Sequence, residues 1–92
     1  MDVHPVVTRF LGDDGRLVSI PTKRAKRLLV LDHVVQSFEL GTVYSEVEVN
    51  DRLSRFHPDV AALRRYLVDD QFLTRREGRY WRSGGTVDLE TL

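Results

Sequence analysis

Residues 58–82 constrain the fold of this chain more than any other stretch, because they combine helix-start signals, a helical apolar stripe and a turn signal. Pro58 and Asp59 suit a first helical turn, where proline loses no hydrogen bond and a carboxylate is favoured by the helix dipole. The apolar residues that follow at helical spacing are Val60, Leu63 and Leu67. The stretch therefore predicts an amphipathic helix over residues 58–70.

A β-hairpin is predicted directly after this helix. Glu77 and Gly78 form a turn signal between two short runs of β-favouring residues, so residues 72–82 should pair as two strands. On a helical wheel Arg65 points away from the buried stripe, and Arg64 lies at its margin. A helix that exposes arginine, followed by a hairpin with arginines around its turn, is the layout of a winged helix-turn-helix.

Two further helices and a short strand are predicted in the N-terminal part of the chain. Residues 3–11 have the spacing of a short amphipathic helix. Residues 16–20 alternate loosely, as in a short strand that Pro21 ends. Thr22 is a good N-cap for the longest periodic segment, residues 23–38.

Two apolar residues lie off the main buried face of the 23–38 helix. Because Leu29 and Val30 fall outside that face, this helix should be contacted on more than one side. Burial within the chain, for example by the N-terminal helix, is one explanation. A second subunit is the other, and it would make the protein a homodimer.

The segment before residue 58 predicts the first half of a helix-turn-helix unit. Val43 and Tyr44 favour a brief strand that pairs with the hairpin. Ser45 and Glu48 have the spacing of a capping box, so a helix should begin there. This helix and the 58–70 helix, joined by a few residues, form the predicted unit.

These elements predict one α+β domain. Its architecture is a winged helix-turn-helix with an extra N-terminal helix and a C-terminal β-hairpin wing. Residues 1–82 form the domain, and its length is sufficient for one hydrophobic core. Residues 83–92, which begin with glycines and end with weakly apolar and acidic residues, are predicted to form a flexible C-terminal tail.

The charge is balanced overall but uneven along the chain. Basic and acidic residues number 14 each, so the strongly basic field of many nucleic-acid binders is absent. Between residues 52 and 82, however, eight arginines stand against four acids, while the charged residues of the 38–51 segment are all acidic. This pattern predicts one positive side. The chain contains no cysteine and no apolar run that approaches a membrane span, so a cytoplasmic protein is expected.

Several segments of the sequence occur in the order seen in a known bacterial family. They are Arg9-Phe10-Leu11-x-Asp13-x-Gly15-Arg16-Leu17, Ile20-Pro21-x-Lys23-Arg24-x-Lys26-Arg27-Leu28, Glu46-x-Glu48-Val49-Asn50, Phe56-His57-x-Asp59-x-Ala61-x-Leu63-Arg64-Arg65-x-Leu67-Val68-Asp69 and Tyr80-Trp81-Arg82. On these segments, which run from residue 9 to residue 82, the chain resembles the bacterial family called domain of unknown function 2087. The resemblance implies a winged-helix-like fold and a role in transcriptional regulation, and it implies no catalytic residue or cofactor.

The candidate DNA-binding residues are the clustered basic side chains, because arginine binds phosphate bidentately. They are Arg64, Arg65, Arg75, Arg76, Arg79, Lys23, Arg24, Lys26 and Arg27. Each group also has an explanation without DNA. The helix arginines could pair with acids such as Asp69 or with the acidic 46–51 helix, and the hairpin arginines could protect an edge strand from pairing. The basic residues 23–27 could be solvated or pair with Asp13 or Asp14.

The predicted function is DNA binding in transcriptional regulation. The 58–70 helix would insert into a major groove of double-stranded DNA, and the 75–79 hairpin would contact backbone phosphates. The alternative is a protein–protein interaction module that does not bind DNA, which suits the zero net charge and the acidic residues 39–51. No pattern predicts an enzyme, a cofactor or a metal site, because the three histidines lack ligand spacing and no glycine-rich loop precedes a helix.

Overall fold

The structure, a computed structural model, describes residues 3–87, which form four helices and one three-stranded antiparallel sheet. In chain order the elements are α1 (Pro5–Thr8), α2 (Arg24–Val35), β1 (Val43–Ser45), α3 (Glu46–Ser54), α4 (Val60–Asp69), β2 (Leu73–Arg76) and β3 (Arg79–Arg82). The strand order is β1-β3-β2. One face of the sheet packs in the core through Tyr44, Leu73 and Tyr80. The prediction of an α+β domain is confirmed.

Helix α4 is capped by Asp59. The Asp59 carboxylate accepts a hydrogen bond from the Ala62 amide at 3.1 Å, which satisfies an amide that has no partner in the first turn. Pro58 therefore precedes the helix, and the prediction that Pro58 and Asp59 lie inside its first turn is wrong. Leu63 and Leu67, two residues of the predicted stripe, are fully buried.

The hairpin turns through two residues with positive φ, Glu77 at 52° and Gly78 at 76°. Two consecutive residues in this region give a type I′ turn, whose twist matches the twist of the flanking strands. Strands β2 and β3 pair antiparallel on either side of it. The predicted hairpin is confirmed.

Strand β1 and helix α3 also form where the sequence predicts them. The Ser45 hydroxyl accepts from the Glu48 amide at 3.2 Å, and the Glu48 carboxylate accepts from the Ser45 amide at 3.0 Å, so both halves of the capping box are present. Val49 and Leu53 are fully buried. Strand β1 pairs antiparallel with β3, which joins it to the hairpin.

Helix α2 is buried on more than one side within a single chain. Its fully buried residues are Val30, Leu31, Val34 and Val35. Leu29 is half-buried and packs against this core. Intramolecular packing thus accounts for the two apolar residues that suggested a homodimer. The helix is preceded by Lys23, which makes no side-chain cap, so the prediction that Thr22 caps it is wrong.

The N-terminal segment is less regular than the sequence predicts. Helix α1 has four residues, whereas the prediction extends over residues 3–11. Residues 16–20 do not form a strand, and Leu17 makes only an isolated bridge with Leu11. The Leu17 amide donates to the Phe56 carbonyl at 2.7 Å. Because this amide is bonded to the α3–α4 connection, it is not available for a longer strand ladder.

Residues 83–87, predicted to begin the flexible tail, lie against α2. The Asp32 carboxylate accepts from the Thr86 amide at 2.6 Å and from the Thr86 hydroxyl at 2.8 Å. Arg82 donates to the Thr86 carbonyl at 2.6 Å. The rest of the predicted tail, residues 88–92, lies outside the described residues.

Candidate nucleic-acid interface

An open groove of about 390 Å³ lies between α4 and the hairpin, and we call it the α4–hairpin groove. Its lining residues are Ala61, Arg64, Arg65, Val68, Asp69, Arg75 and Tyr80. Three of them are arginines and one is an acid. The helix and the hairpin that the sequence predicts to be basic therefore meet at one surface.

The register of the hairpin puts its arginines on two faces. Arg75 is paired with Tyr80, so it lies on the face that packs against the helices, with its guanidinium carbon 5.9 Å from the centre of the Tyr80 ring. Arg76 is paired with Arg79, and alternation along the strands puts both on the other face. The predicted cluster around the turn is thus divided, and only Arg75 joins the α4–hairpin groove.

Arg64 is bound within the protein by two residues of α3. Its Nη1 group donates to the Asn50 side-chain oxygen, and its Nε lies 3.8 Å from the Glu46 carboxylate. Its side chain is 24% exposed. The structure therefore shows the alternative in which Arg64 pairs with the acidic helix, although Arg64 still lines the α4–hairpin groove.

Tyr80 ties the hairpin to α3 beside this arginine. Its ring is buried, and its hydroxyl donates to the Glu46 carboxylate at 2.8 Å. This hydrogen bond, and secondly the nearby Arg64, lower the pKa of the Glu46 carboxyl. Burial, and secondly the hydrogen bond to Glu46, raise the pKa of the Tyr80 hydroxyl. One carboxylate thus joins α3, α4 and β3 next to the groove.

Arg65 projects from the exposed side of α4, as the helical wheel predicts. Its guanidinium carbon lies 5.7 Å from the centre of the Tyr66 ring. Its guanidinium group forms no ion pair with any other residue of the 3–87 range. Arg65 is therefore free to bind a partner.

The basic residues at the start of α2 are engaged with the end of α4. The Asp70 carboxylate lies 3.4 Å from Arg24 and 3.9 Å from Arg27. Asp70, rather than an aspartate of the 12–15 turn, is thus the acid that this cluster faces. The members that stay exposed and unpaired among the described residues are Lys23 and Lys26.

Tertiary contacts divide the arginines into a bound and an unbound group. In the bound group, Arg52 donates to the Ser37 carbonyl at 2.7 Å, and Arg82 donates to the carbonyls of Phe38 and Thr86. Within the described part of the chain, the guanidinium groups without a hydrogen bond or an ion pair are those of Arg9, Arg65, Arg75, Arg76 and Arg79. All but Arg9 lie on α4 and the hairpin.

Sequence reasoning placed three polar residues of this region outside the candidate site, because it considered the acidic 46–51 helix and Asp69 only as ion-pair partners of the arginines. Glu46 and Asn50 are four residues apart on α3, so they share a helix face, and this spacing was the signal that could have joined them to one partner. Asp69 gave no such signal, because the sequence suggested it only as an ion-pair partner. It lines the α4–hairpin groove without forming an ion pair to a described residue.

The chemistry of the α4–hairpin groove is hydrogen-bond donation by guanidinium groups. Within residues 3–87, no group of three or more His, Asp or Glu side chains is arranged to hold a metal ion. No helix in this part of the chain is long and apolar enough to cross a membrane.

The fold and the groove define a small α+β domain that exposes, on one helix and one hairpin, arginines with no ion-pair partner among residues 3–87. Residues 16–82, more than half of the chain, match the model of the family described as an uncharacterized protein conserved in bacteria (DUF2087). The chain belongs to this family, as its motif segments indicate. No curated protein and no solved structure matches it.

Proposed function

We propose that this protein is a winged helix-turn-helix domain that binds double-stranded DNA in transcriptional regulation, by binding alone and without catalysis. The order of its elements supports this, since α2, β1, α3, α4 and the β2–β3 hairpin follow one another as helix, strand, two helices and wing. The sheet order β1-β3-β2 gives the hairpin a third strand. In this arrangement α4 is the recognition helix and the hairpin is the wing.

The observation that carries the proposal is the position of the unpaired guanidinium groups. Arg65 on α4 and Arg75 on β2 line one groove, and neither pairs with another described residue. A guanidinium group presents its donors in a rigid fork that matches a phosphate. Two such groups on neighbouring elements suit a partner that carries repeated phosphates.

The two faces of the hairpin suit a position along the DNA backbone. Arg75 faces α4, whereas Arg76 and Arg79 face away from it. A hairpin that lies against the backbone can contact phosphates on both of its sides. Arg64, which is held by α3, adds positive charge beside Arg65.

The start of α2 extends this surface past the end of α4. The ion pair between Arg24 and Asp70 keeps the two helices adjacent. Lys23 and Lys26 are exposed there and are assigned to phosphate contact. Arg24 and Arg27 contribute less to phosphate binding, because both already face the Asp70 carboxylate.

Fluorescence anisotropy of a labelled random-sequence duplex tests the proposal. The wild type should bind at about 50 mM salt and bind much more weakly at about 200 mM, as phosphate-dominated binding does. In an Arg65→Ala/Arg75→Ala variant the slope of log K against log salt should be shallower by about 2, because each phosphate contact contributes about 0.9. The matched control is Arg9→Ala/Arg55→Ala, which removes two exposed arginines outside the groove.

Circular dichroism should show that both variants are folded. Equal weakening of the two variants would mean that net charge, and not the α4–hairpin groove, governs binding. A wild type that does not bind the duplex at about 50 mM salt would refute the proposed function.

Protein binding is the second candidate function, and exposed apolar side chains favour it. Val43 is 56% exposed and is paired with Trp81 on the face of the sheet that the helices leave open. Val47, in the first turn of α3, is 77% exposed. Large exposed apolar side chains such as these are candidates for contact with a protein partner. A lysate partner that is lost with Val43→Lys/Val47→Lys and retained with Arg65→Ala/Arg75→Ala would support this function.

A further inference from the structure

The outer side of α4 carries one line of three residues. Ala61, Arg65 and Asp69 are the exposed residues of this helix, and all the others are half-buried or buried. They are four residues apart, so they form one stripe along the helix. All three also line the α4–hairpin groove. The stripe presents a methyl group, a cation and an anion in that order.

Asp69 is not used to hold the described part of the fold together. Its carboxylate forms no ion pair with a described residue, even though Arg65 lies one turn away on the same stripe. The adjacent Asp70 behaves differently, because its side chain is only 9% exposed and it pairs with Arg24 and Arg27. Among the described residues, Asp69 is thus an unpaired carboxylate in a groove that arginines line.

A carboxylate at this position cannot bind the DNA backbone. Ionised carboxylates accept hydrogen bonds and do not donate them, and phosphates carry the same sign of charge. Its partner on DNA must therefore be a hydrogen-bond donor. In the major groove the donors are the amino groups of cytosine and adenine. Adenine presents its N7 acceptor beside the amino group, and this acceptor repels a carboxylate, so cytosine is the better partner.

We propose that Asp69 determines base specificity by accepting a hydrogen bond from a cytosine amino group in the major groove, while Arg65 contacts a backbone phosphate. This inference rests on the proposed function. Four residues of an α-helix span about 6 Å, whereas bases on one strand are about 3.4 Å apart. Asp69 therefore reaches a different base pair from the one beside which Arg65 contacts a phosphate.

Selection from a randomised duplex pool tests the inference. The wild type should select one position that is occupied by cytosine, and a wrong base there should weaken binding at least about fivefold. Asp69→Asn keeps the shape of the side chain but adds donors, so its preference at that position should change to adenine, which asparagine binds bidentately. Asp69→Ala should lose the preference altogether. The salt dependence of both variants should stay that of the wild type, because no phosphate contact is removed.

The matched control is Asp51→Asn, which removes one exposed carboxylate on α3, where the side chain is 68% exposed. It should keep the cytosine preference. If Asp69→Asn strengthens binding equally for all sequences, Asp69 acts only by repelling phosphate and the inference is overturned, while the proposed function stands. If the wild type binds no duplex at low salt, the proposed function fails and the inference fails with it.

Discussion

Replacement of Tyr80 by phenylalanine removes one hydroxyl where α3, α4 and the hairpin meet. This hydroxyl donates to Glu46 at 2.8 Å, and the tyrosine is 1% exposed. Phenylalanine fills nearly the same volume, so the core packing should be preserved. In the variant, the Glu46 carboxylate keeps its ion pair with Arg64. A water molecule can take the place of the missing hydroxyl, because the Glu46 side chain is 47% exposed.

The size of the effect follows from this exposure. A hydrogen bond to a charged group contributes about 1.5–3 kcal/mol to stability, and one between neutral groups about 0.5–1.5 kcal/mol. Because water can replace the hydroxyl at the half-exposed carboxylate, we expect Tyr80→Phe to lower the free energy of unfolding by about 1 kcal/mol. In a domain of this size that loss lowers Tm by about 4–8 °C.

The loss of stability in Tyr80→Phe should also depend on pH. The folded-state pKa of Glu46 lies below its ordinary value, chiefly because of the Tyr80 hydroxyl. A carboxyl with a lowered pKa adds stability above its unfolded-state pKa and loses it as the pH falls through the folded-state pKa. The difference in the free energy of unfolding between the wild type and Tyr80→Phe should therefore be largest at neutral pH and smaller in acid.

Urea denaturation at about pH 7 and about pH 3 measures this difference. Glu46→Gln is the matched control, because it keeps a hydrogen-bond acceptor and removes the charge. A double-mutant cycle of Tyr80→Phe and Glu46→Gln should give a coupling energy at neutral pH that declines in acid. A loss that is the same at both pH values would refute the assignment of this stability to the Tyr80–Glu46 hydrogen bond. Additive effects of the two substitutions would show that the charge of Glu46 does not strengthen this bond, because glutamine keeps an acceptor.

Two further predictions concern local backbone structure, and thermal denaturation checks both. Ser45→Ala removes the acceptor for the Glu48 amide and should cost about 1 kcal/mol, whereas Ser45→Asp can still cap α3 and should recover most of it. A Ser45→Ala variant that is as stable as Ser45→Asp would show that the cap contributes nothing to the free energy of unfolding. Gly78→Ala puts a side chain at φ 76° and should cost about 1–2 kcal/mol although no atom lies within 4 Å of the new Cβ. Gly78→Asn should cost less, because asparagine tolerates this region, and an equal cost would mean that the backbone conformation is not the cause.

The elements that the sequence predicted well depend on residues close together in the chain. The capping box needs only Ser45 and Glu48, and the turn needs only Glu77 and Gly78. Prediction failed where a distant contact decides the structure. Leu17 is the clearest case, because its amide bonds to the Phe56 carbonyl and not to a neighbouring strand.

The same distinction holds for the candidate site. Composition and spacing are local properties, so the amino-acid sequence alone shows that basic residues concentrate on α4 and the hairpin. Neighbouring residues of a strand face opposite ways, so Tyr80 and Trp81 must lie on opposite faces, but the sequence does not tell which one enters the core. The register with β1 and the hydrogen bond to Glu46, which is 34 residues away, bury Tyr80.

Which arginines lack a partner among the described residues is a property of the folded chain. Arg64 and Arg82 look like their neighbours in the sequence, yet both are bound inside the protein. The Asn50 acceptor of Arg64 is 14 residues away in the chain, and Phe38, one of the acceptors of Arg82, is 44 residues away, so no local pattern reveals these two contacts. The arginines that remain available, such as Arg65 and Arg75, are those for which the folded chain brings no acceptor within reach among its described residues.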